Sequence, residues 1–140
     1  MNPQNPAAAT ARAFSPTEKA LQMTLEAGYP GSAVVLHCQG RMIFRSEAQA
    51  LSTIVVDVLP AAHRMVVDLA EVDAIDSGGL GELVLTHMWA EAAGHALRFA
   101  CPKKALRQLF ESTNLVAVFD VYGSVPEAMA AMVQEDVLPA

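Results

Sequence analysis

The sequence is poor in charged residues and has no long apolar run, and each shortage excludes a class of protein. Only 17% of its 140 residues are charged while 53% are hydrophobic, which indicates one compact domain and excludes a disordered chain. No stretch approaches the about 18 consecutive apolar residues that a membrane-spanning helix needs. The N-terminus also lacks the apolar core of a secretory signal. We therefore expect a cytoplasmic protein with no membrane segment and no membrane partner.

Positive charge is also scarce. The chain has nine lysine and arginine residues against fifteen acidic ones, for a net charge of -6. The basic residues are scattered, whereas a nucleic-acid backbone requires a concentrated cationic face. Nucleic acid is therefore excluded as a partner.

Cysteine and histidine are few and show no pattern typical of a metal site. Cys38 and Cys101 lie far apart, each in an apolar stretch, and we expect two buried free thiols rather than a disulfide. The four histidines lack metal-ligand spacing with cysteine or carboxylate residues; they are His37, His63, His87 and His95. We predict no metal and no cofactor.

The N-terminal residues differ in composition from the rest of the chain. Residues 1–16 are rich in alanine and proline and show no apolar periodicity. Such a composition is typical of a disordered tail. We therefore predict a tail at residues 1–16 and a single domain at residues 17–140.

Strand and helix patterns alternate through most of the domain. Apolar runs bounded by turn residues predict strands at 21–25, 33–38, 65–69, 97–100 and 116–121. Helical spacing predicts a helix from a Ser46 capping box to a stop at Pro60, a second at 79–93 capped by Gly94, a third with Pro102 in its first turn, and a fourth at 125–133. This order predicts an α/β fold with a mixed, mainly parallel sheet of four to five strands, covered by about four helices.

The most informative stretch runs from Met65 to Leu83. A nearly continuous apolar strand is followed by the turn Asp76-Ser77-Gly78-Gly79 and then by apolar residues at helical spacing. The turn thus places a hydroxyl and several backbone N–H groups at a helix N-terminus, where an anion is favoured. The two glycines suggest a backbone that needs a positive φ or a close approach.

The residues Asp76-Ser77-Gly78-Gly79-Leu80-Gly81 resemble the D-S-S/T-G-L-G signature of STAS domains. This family includes bacterial anti-sigma factor antagonists and the cytoplasmic tails of sulfate transporters. The similarity extends from about residue 32 to residue 132 and includes Gly40-Arg41-Met42, which is similar to the family's G-R/E-L after its second strand. The resemblance implies the STAS fold.

The resemblance also implies a function. In antagonists of this family a serine-kinase type anti-sigma factor is bound at the signature turn, which frees a sigma factor; the kinase phosphorylates the turn and a serine phosphatase reverses this. The family's phosphoacceptor is the second residue after the aspartate, and Gly78 occupies that position here. Ser77, one residue earlier, is the candidate acceptor, with helix capping by its hydroxyl as the alternative.

Asp76 has no second titratable partner in its loop, so we interpret it as a loop-fixing or partner-contacting carboxylate and predict that the protein is not an enzyme.

Beyond the turn, Leu85, Met88 and Trp89 fall off the apolar stripe of the second helix, which suggests a face that binds a partner. Ordinary core or dimer packing is the alternative for this face. The alternative function is a STAS scaffold or sensory module that binds a small ligand or other STAS domains.

Overall fold

The computed structural model describes residues 21–43, 45–115 and 118–137. The described elements in chain order are β1 (Gln22–Glu26), β2 (Val34–Met42), α1 (Arg45–Ala62), β3 (Arg64–Ile75), α2 (Ser77–Ala92), β4 (Ala96–Ala100), α3 (Lys104–Ser112), β5 (Val121–Tyr122) and α4 (Val125–Val137). A short 3-10 turn, Pro30–Ser32, precedes β2. The predicted tail at 1–16 and the predicted domain start at residue 17 lie outside the described residues.

The five strands form one mixed sheet in the order β1-β2-β3-β4-β5. β1 pairs antiparallel with β2, and the remaining neighbours pair in parallel. Parallel neighbours require crossover connections, which α1, α2 and α3 provide. The predicted α/β class, strand number and helix number are therefore confirmed.

The sheet separates two apolar cores. The larger one lies beneath α1, α2 and α3 and contains alternate residues of the central strands, such as Met65, Val67 and Leu69 of β3. The smaller one lies beneath α4, where Val66 of β3 packs with Ala128 and Met132. Because successive side chains of a strand point to opposite faces, β3 is buried on both sides at its start. Its apolar run predicted this burial.

Two predicted helix boundaries are wrong at α1. The helix begins at Arg45, so Ser46 lies within its first turn and is not the N-cap; the carboxylate of Glu47 instead accepts a hydrogen bond from the Ile43 N–H at 3.0 Å. Pro60 does not end the helix, which continues to Ala62. In the last turn a proline removes only its own N–H bond, and the His63 N–H still reaches the carbonyl of Leu59 at 2.6 Å.

Two later boundaries also differ from the prediction. α3 begins at Lys104 with Lys103 as its N-cap, so Pro102 precedes the helix. The reason is that Cys101 still bonds to Tyr122 of β5 and turns the chain with a φ of 63°. The predicted strand 116–121 is reduced to Val121–Tyr122. Residues 116–117 lie outside the described residues. The N–H of Phe119 bonds to Leu115 in a turn that buries its ring.

Among residues 21–43, 45–115 and 118–137, the helices are too short or too polar to cross a membrane.

Candidate functional site at the turn between β3 and α2

The turn between β3 and α2 lies at the carboxyl end of the parallel strands, where open α/β sheets commonly bind their ligands. β3 ends at Ile75, and the N–H of Asp76 donates to the carbonyl of Met42, the last residue of β2, at 3.2 Å. The turn is therefore anchored to the neighbouring strand. Asp76 and Ser77 are both exposed.

Asp76 is the N-cap of α2. Its backbone is extended, with φ -104° and ψ -178°, and its Oδ1 accepts a hydrogen bond from the Gly79 N–H at 2.8 Å. Helix capping by the Ser77 hydroxyl, the alternative to its role as phosphoacceptor, is wrong, because Ser77 is already the first helical residue. A carboxylate at this position satisfies an unpaired N–H and also interacts favourably with the helix dipole.

Gly79 is required because two backbone segments approach closely. A Cβ at this position would lie 2.4 Å from the carbonyl oxygen of Met42 and 3.0 Å from Cγ1 of Ile75. Gly79 and Gly78 do not have a positive φ. Of the two reasons that the sequence suggested for these glycines, the close approach therefore holds for Gly79.

Ser77 is available to a partner. Its hydroxyl makes no hydrogen bond to any other residue in the described part of the chain, and neither do the N–H groups of Ser77 and Gly78. Unpaired N–H groups at a helix N-terminus stabilise negative charge. The turn can therefore accept an acidic side chain or a phosphoryl group without a change in its backbone.

An open groove of about 370 Å³ lies beside Ser77. Its lining residues come from the first three turns of α2 and are Ser77, Gly78, Gly81, Glu82 and Leu85. The two glycines leave the helix backbone accessible, since they carry no side chain.

Ser52 of α1 orients the charged side of this groove. Its hydroxyl donates a hydrogen bond to Oε2 of Glu82 at 3.0 Å. This contact joins residues 30 positions apart and was not predicted from the sequence, because it depends on the packing of α1 against α2. The groove therefore combines a negative charge with the positive end of the helix dipole.

The three residues of the predicted partner face do not share one environment. Leu85 and Met88 are 53% and 57% exposed, on the face of α2 that continues from the groove. Trp89 is half-buried against the larger core, and its ring lies 5.9 Å from that of His95 between centroids. Core packing, the alternative for this face, therefore describes Trp89, whereas Leu85 and Met88 remain candidates for contact.

A second charged contact lies near the turn. The ammonium of Lys103, at the start of α3, donates to the carboxylate of Asp73 in β3. This hydrogen bond raises the pKa of Lys103. Because both side chains are exposed, the contact stabilises the fold little.

The cysteines are both free. Cys38 is buried as predicted, and burial raises the pKa of its thiol to about 12. Cys101 is only half-buried, which departs from the prediction. Among the described residues, no group of three or more histidine, cysteine or acidic side chains is placed to hold a metal ion.

A family model described as "STAS domain" matches residues 25–128. The signature turn and both helices that flank the groove lie within this range. No curated protein matches the sequence.

Solved structures show the same fold at low sequence identity. An anti-sigma factor antagonist from Mycobacterium paratuberculosis has a TM-score of 0.67 at 22% identity, over 81% of this chain and 94% of that one. The Bacillus cell fate determinant SpoIIAA in its phosphorylated form has a TM-score of 0.60 at 16% identity, over 79% and 99%. The STAS domain of a SulP transporter from Vibrio cholerae has a TM-score of 0.62 at 15% identity, over 78% and 87%.

Proposed function

Because the chain belongs to the STAS domain family, we propose that it is an anti-sigma factor antagonist, a binding protein that captures an anti-sigma factor and thereby frees a sigma factor. The main support is the accessibility of the signature turn: Ser77 is exposed, and two N–H groups beside a groove have no partner among the described residues. In this proposal the protein acts in the cytoplasm, where sigma factors bind RNA polymerase, and residues 17–140 form its single domain.

The proposed contact surface joins the groove to an apolar face on α1 and α2. Leu85 lies three residues after Glu82, and Val56 lies four residues after Ser52, so each is one turn along its helix from the Ser52–Glu82 contact. Both are exposed, at 53% for Leu85 and 44% for Val56, and Met88 extends this face along α2. Exposed apolar residues next to a polar groove are typical of protein-binding surfaces.

The signature residues have separate roles in this proposal. Asp76 fixes the turn, Gly79 permits its close contact with β2, and Leu80 packs in the core. Gly78 and Gly81 keep the groove open, because a partner can approach their backbone directly. Ser77 is the residue through which phosphorylation would act, if the partner is a kinase that accepts a serine at the first helical position.

Phosphorylation of Ser77 would change binding by electrostatics. A phosphate adds a charge of about -1.5 to -2 and would be stabilised by the unpaired N–H groups at the start of α2. It would also stand beside Asp76 and Glu82, so that the groove would repel an acidic partner surface. A serine phosphatase would restore the unmodified state. Because Gly78 holds the usual acceptor position, control by binding alone is the version that we favour.

Titration against purified anti-sigma factors of the parent organism tests the binding proposal. Candidates are the histidine-kinase-like ATPases encoded beside sigma factor genes, measured by isothermal titration calorimetry. We expect Leu85→Glu to weaken binding more than about tenfold, because it places a charge in the apolar contact. Leu25→Glu is the matched control: Leu25 is also exposed, at 43%, but lies on β1 away from the groove.

Equal affinity of Leu85→Glu and Leu25→Glu would remove α2 from the interface, and no binding to any candidate would contradict the proposed function. The alternative, a scaffold that binds other STAS domains or a small ligand, predicts instead self-association or saturable binding of a metabolite. Sedimentation of the purified protein and ligand titration separate these outcomes.

Phosphorylation is tested by incubating the protein with ATP and the anti-sigma factor that binds it. Mass spectrometry then locates the phosphate, with Ser77→Ala as the control. A phosphate on Ser77 that abolishes binding would establish the regulated version and overturn control by binding alone. An unmodified protein that still binds would support the version without phosphorylation.

A further inference from the structure

A polar network crosses three strands on the sheet face opposite α2. At its centre is His37 of β2, whose Nδ1 lies 2.7 Å from Oδ2 of Asp68 in β3. The other ring nitrogen, Nε2, lies 2.7 Å from Oε1 of Glu26 in β1. One imidazole therefore connects the edge strand to the central strand across the strand between them.

The partners of His37 determine its protonation state. An ionised carboxylate only accepts hydrogen bonds. Oε1 of Glu26 also accepts from the Tyr29 hydroxyl at 3.0 Å, and Oδ1 of Asp68 accepts from the Ala70 N–H at 3.0 Å, so both carboxylates act as acceptors in their other contacts. Both nitrogens of His37 must then donate. Only the imidazolium cation has two N–H groups.

Within residues 21–43, 45–115 and 118–137, β1 has little other attachment to the domain. Among the strands that the structure describes, it lies at the edge of the sheet and pairs with β2 alone. Four of its five residues are exposed, and Met23 is only half-buried against the larger core. Since side-chain burial contributes little here, the backbone ladder and the Glu26–His37 contact carry most of the attachment.

We propose that protonated His37 is a clamp that fastens β1 to the sheet, and that loss of its proton loosens this edge strand. Neutral imidazole has a single N–H and can donate to only one of the two carboxylates. The other carboxylate then faces a ring nitrogen that carries a lone pair in place of a proton, so two acceptors face each other. Deprotonation therefore replaces a charge-assisted contact with a repulsive one.

The two carboxylates that contact His37 favour the cation. Glu26 from β1 and Asp68 from β3 contact it directly, Tyr29 donates to Glu26, and the half-buried thiol of Cys101 lies near Asp68 and Glu127 of α4. On the same face the guanidinium of Arg64 bonds to the carbonyl of Gly31, in the loop between β1 and β2, at 2.6 Å. The hydrogen bond to Glu26 is the largest of the effects that raise the pKa of His37.

The direction of the pH effect follows from this shift. Because the pKa of His37 is raised in the folded protein, the clamp is fully formed below the ordinary histidine pKa of about 6.5 and is lost as the pH rises through the higher folded value. β1 is thus firmly attached below about pH 6.5 and loosens as the pH rises through the folded pKa of His37.

NMR of the histidine rings tests the protonation state in the full chain. We expect the His37 ring to carry both protons at about pH 6.5 and to titrate above the histidines of the same protein unfolded in urea, which serve as the reference. Glu26→Gln keeps the size of the side chain and removes its charge, so it should lower the titration point of His37. A His37 ring that titrates with or below this unfolded reference would overturn the proposal.

Hydrogen exchange tests the attachment of β1. After correction for base catalysis, we expect the amides of Gln22–Glu26 to exchange about tenfold faster above the titration point of His37 than below it, with no such step in β4. In His37→Gln this step should be absent. If His37→Gln retains the step, or if the wild type lacks it while His37 titrates, the clamp is disproved. Binding to an anti-sigma factor involves the opposite face of the sheet, so failure of that assay leaves this test unaffected.

Discussion

The carbonyl oxygen of Met42 lies 2.4 Å from the point where a Cβ on Gly79 would stand. The same oxygen accepts the N–H of Asp76 at 3.2 Å. The end of β2 and the start of α2 therefore meet backbone to backbone. This contact fixes the position of the signature turn relative to the sheet.

Substitution of Gly79 by alanine should destabilise the fold by about 3 kcal/mol, because backbone atoms have to move to make room for the methyl group. Gly81→Ala is the matched control in the same helix, since a Cβ there meets nothing within 4 Å. It should stabilise the fold by roughly 0.5 to 1 kcal/mol, through the higher helix propensity of alanine. Urea unfolding followed by circular dichroism measures both, and equal effects would contradict the close approach.

Removal of the Asp76 cap should weaken α2. Asp76→Ala leaves the Gly79 N–H without its acceptor and should cost about 1 kcal/mol of unfolding free energy, whereas Asp76→Asn keeps an oxygen in place and should cost less. Ser77→Ala should change stability by less than about 0.5 kcal/mol, since that side chain is exposed. A larger loss in Ser77→Ala than in Asp76→Ala would show that the capping roles are reversed.

Substitutions along α2 should separate contact residues from core residues. Leu85→Ala and Met88→Ala should change the free energy of unfolding by less than about 0.5 kcal/mol, because both side chains are more than half exposed. Trp89→Ala should cost about 2 kcal/mol, because its ring packs on the larger core. Thermal unfolding of the three variants checks this order. If Met88→Ala is as destabilising as Trp89→Ala, the face assigned to α2 is wrong.

The two thiols should react at different rates in the folded protein. At about pH 8, iodoacetamide should modify Cys101 before Cys38, because burial raises the pKa of Cys38 to about 12 and excludes the reagent, whereas Cys101 is half-buried. In denaturant the two should react at similar rates. Peptide mapping by mass spectrometry follows each site, and faster modification of Cys38 in the native protein would contradict the burial.

Local sequence predicted most elements because their causes are local. The apolar runs of β2, β3 and β4 and the glycine at position 94, which has a φ of 80°, produced the predicted strands and the predicted end of α2. The helix boundaries predicted from Ser46, Pro60 and Pro102 were wrong, since each of these residues favours a helix end without requiring one. Tertiary contacts, such as the burial of Phe119 among Phe99 and Phe110, decided the rest.

The candidate site, too, was predicted from the sequence only in part. The signature residues and their place between a strand and a helix were readable from the sequence, since turn chemistry and helical periodicity depend on neighbouring residues. The sequence did not show whether Asp76 or Ser77 caps the helix, because the answer depends on the exact residue at which the helix begins.

By itself, then, the sequence determined an α/β chain with an acidic, glycine-rich turn at a helix start, because these features arise between residues close along the chain. Only the tertiary structure decided that Glu82 is oriented by Ser52, that Trp89 belongs to the core, and that His37 joins Glu26 to Asp68. Each of these contacts depends on the packing of helices or the register of strands, which place distant residues within a few ångströms of one another.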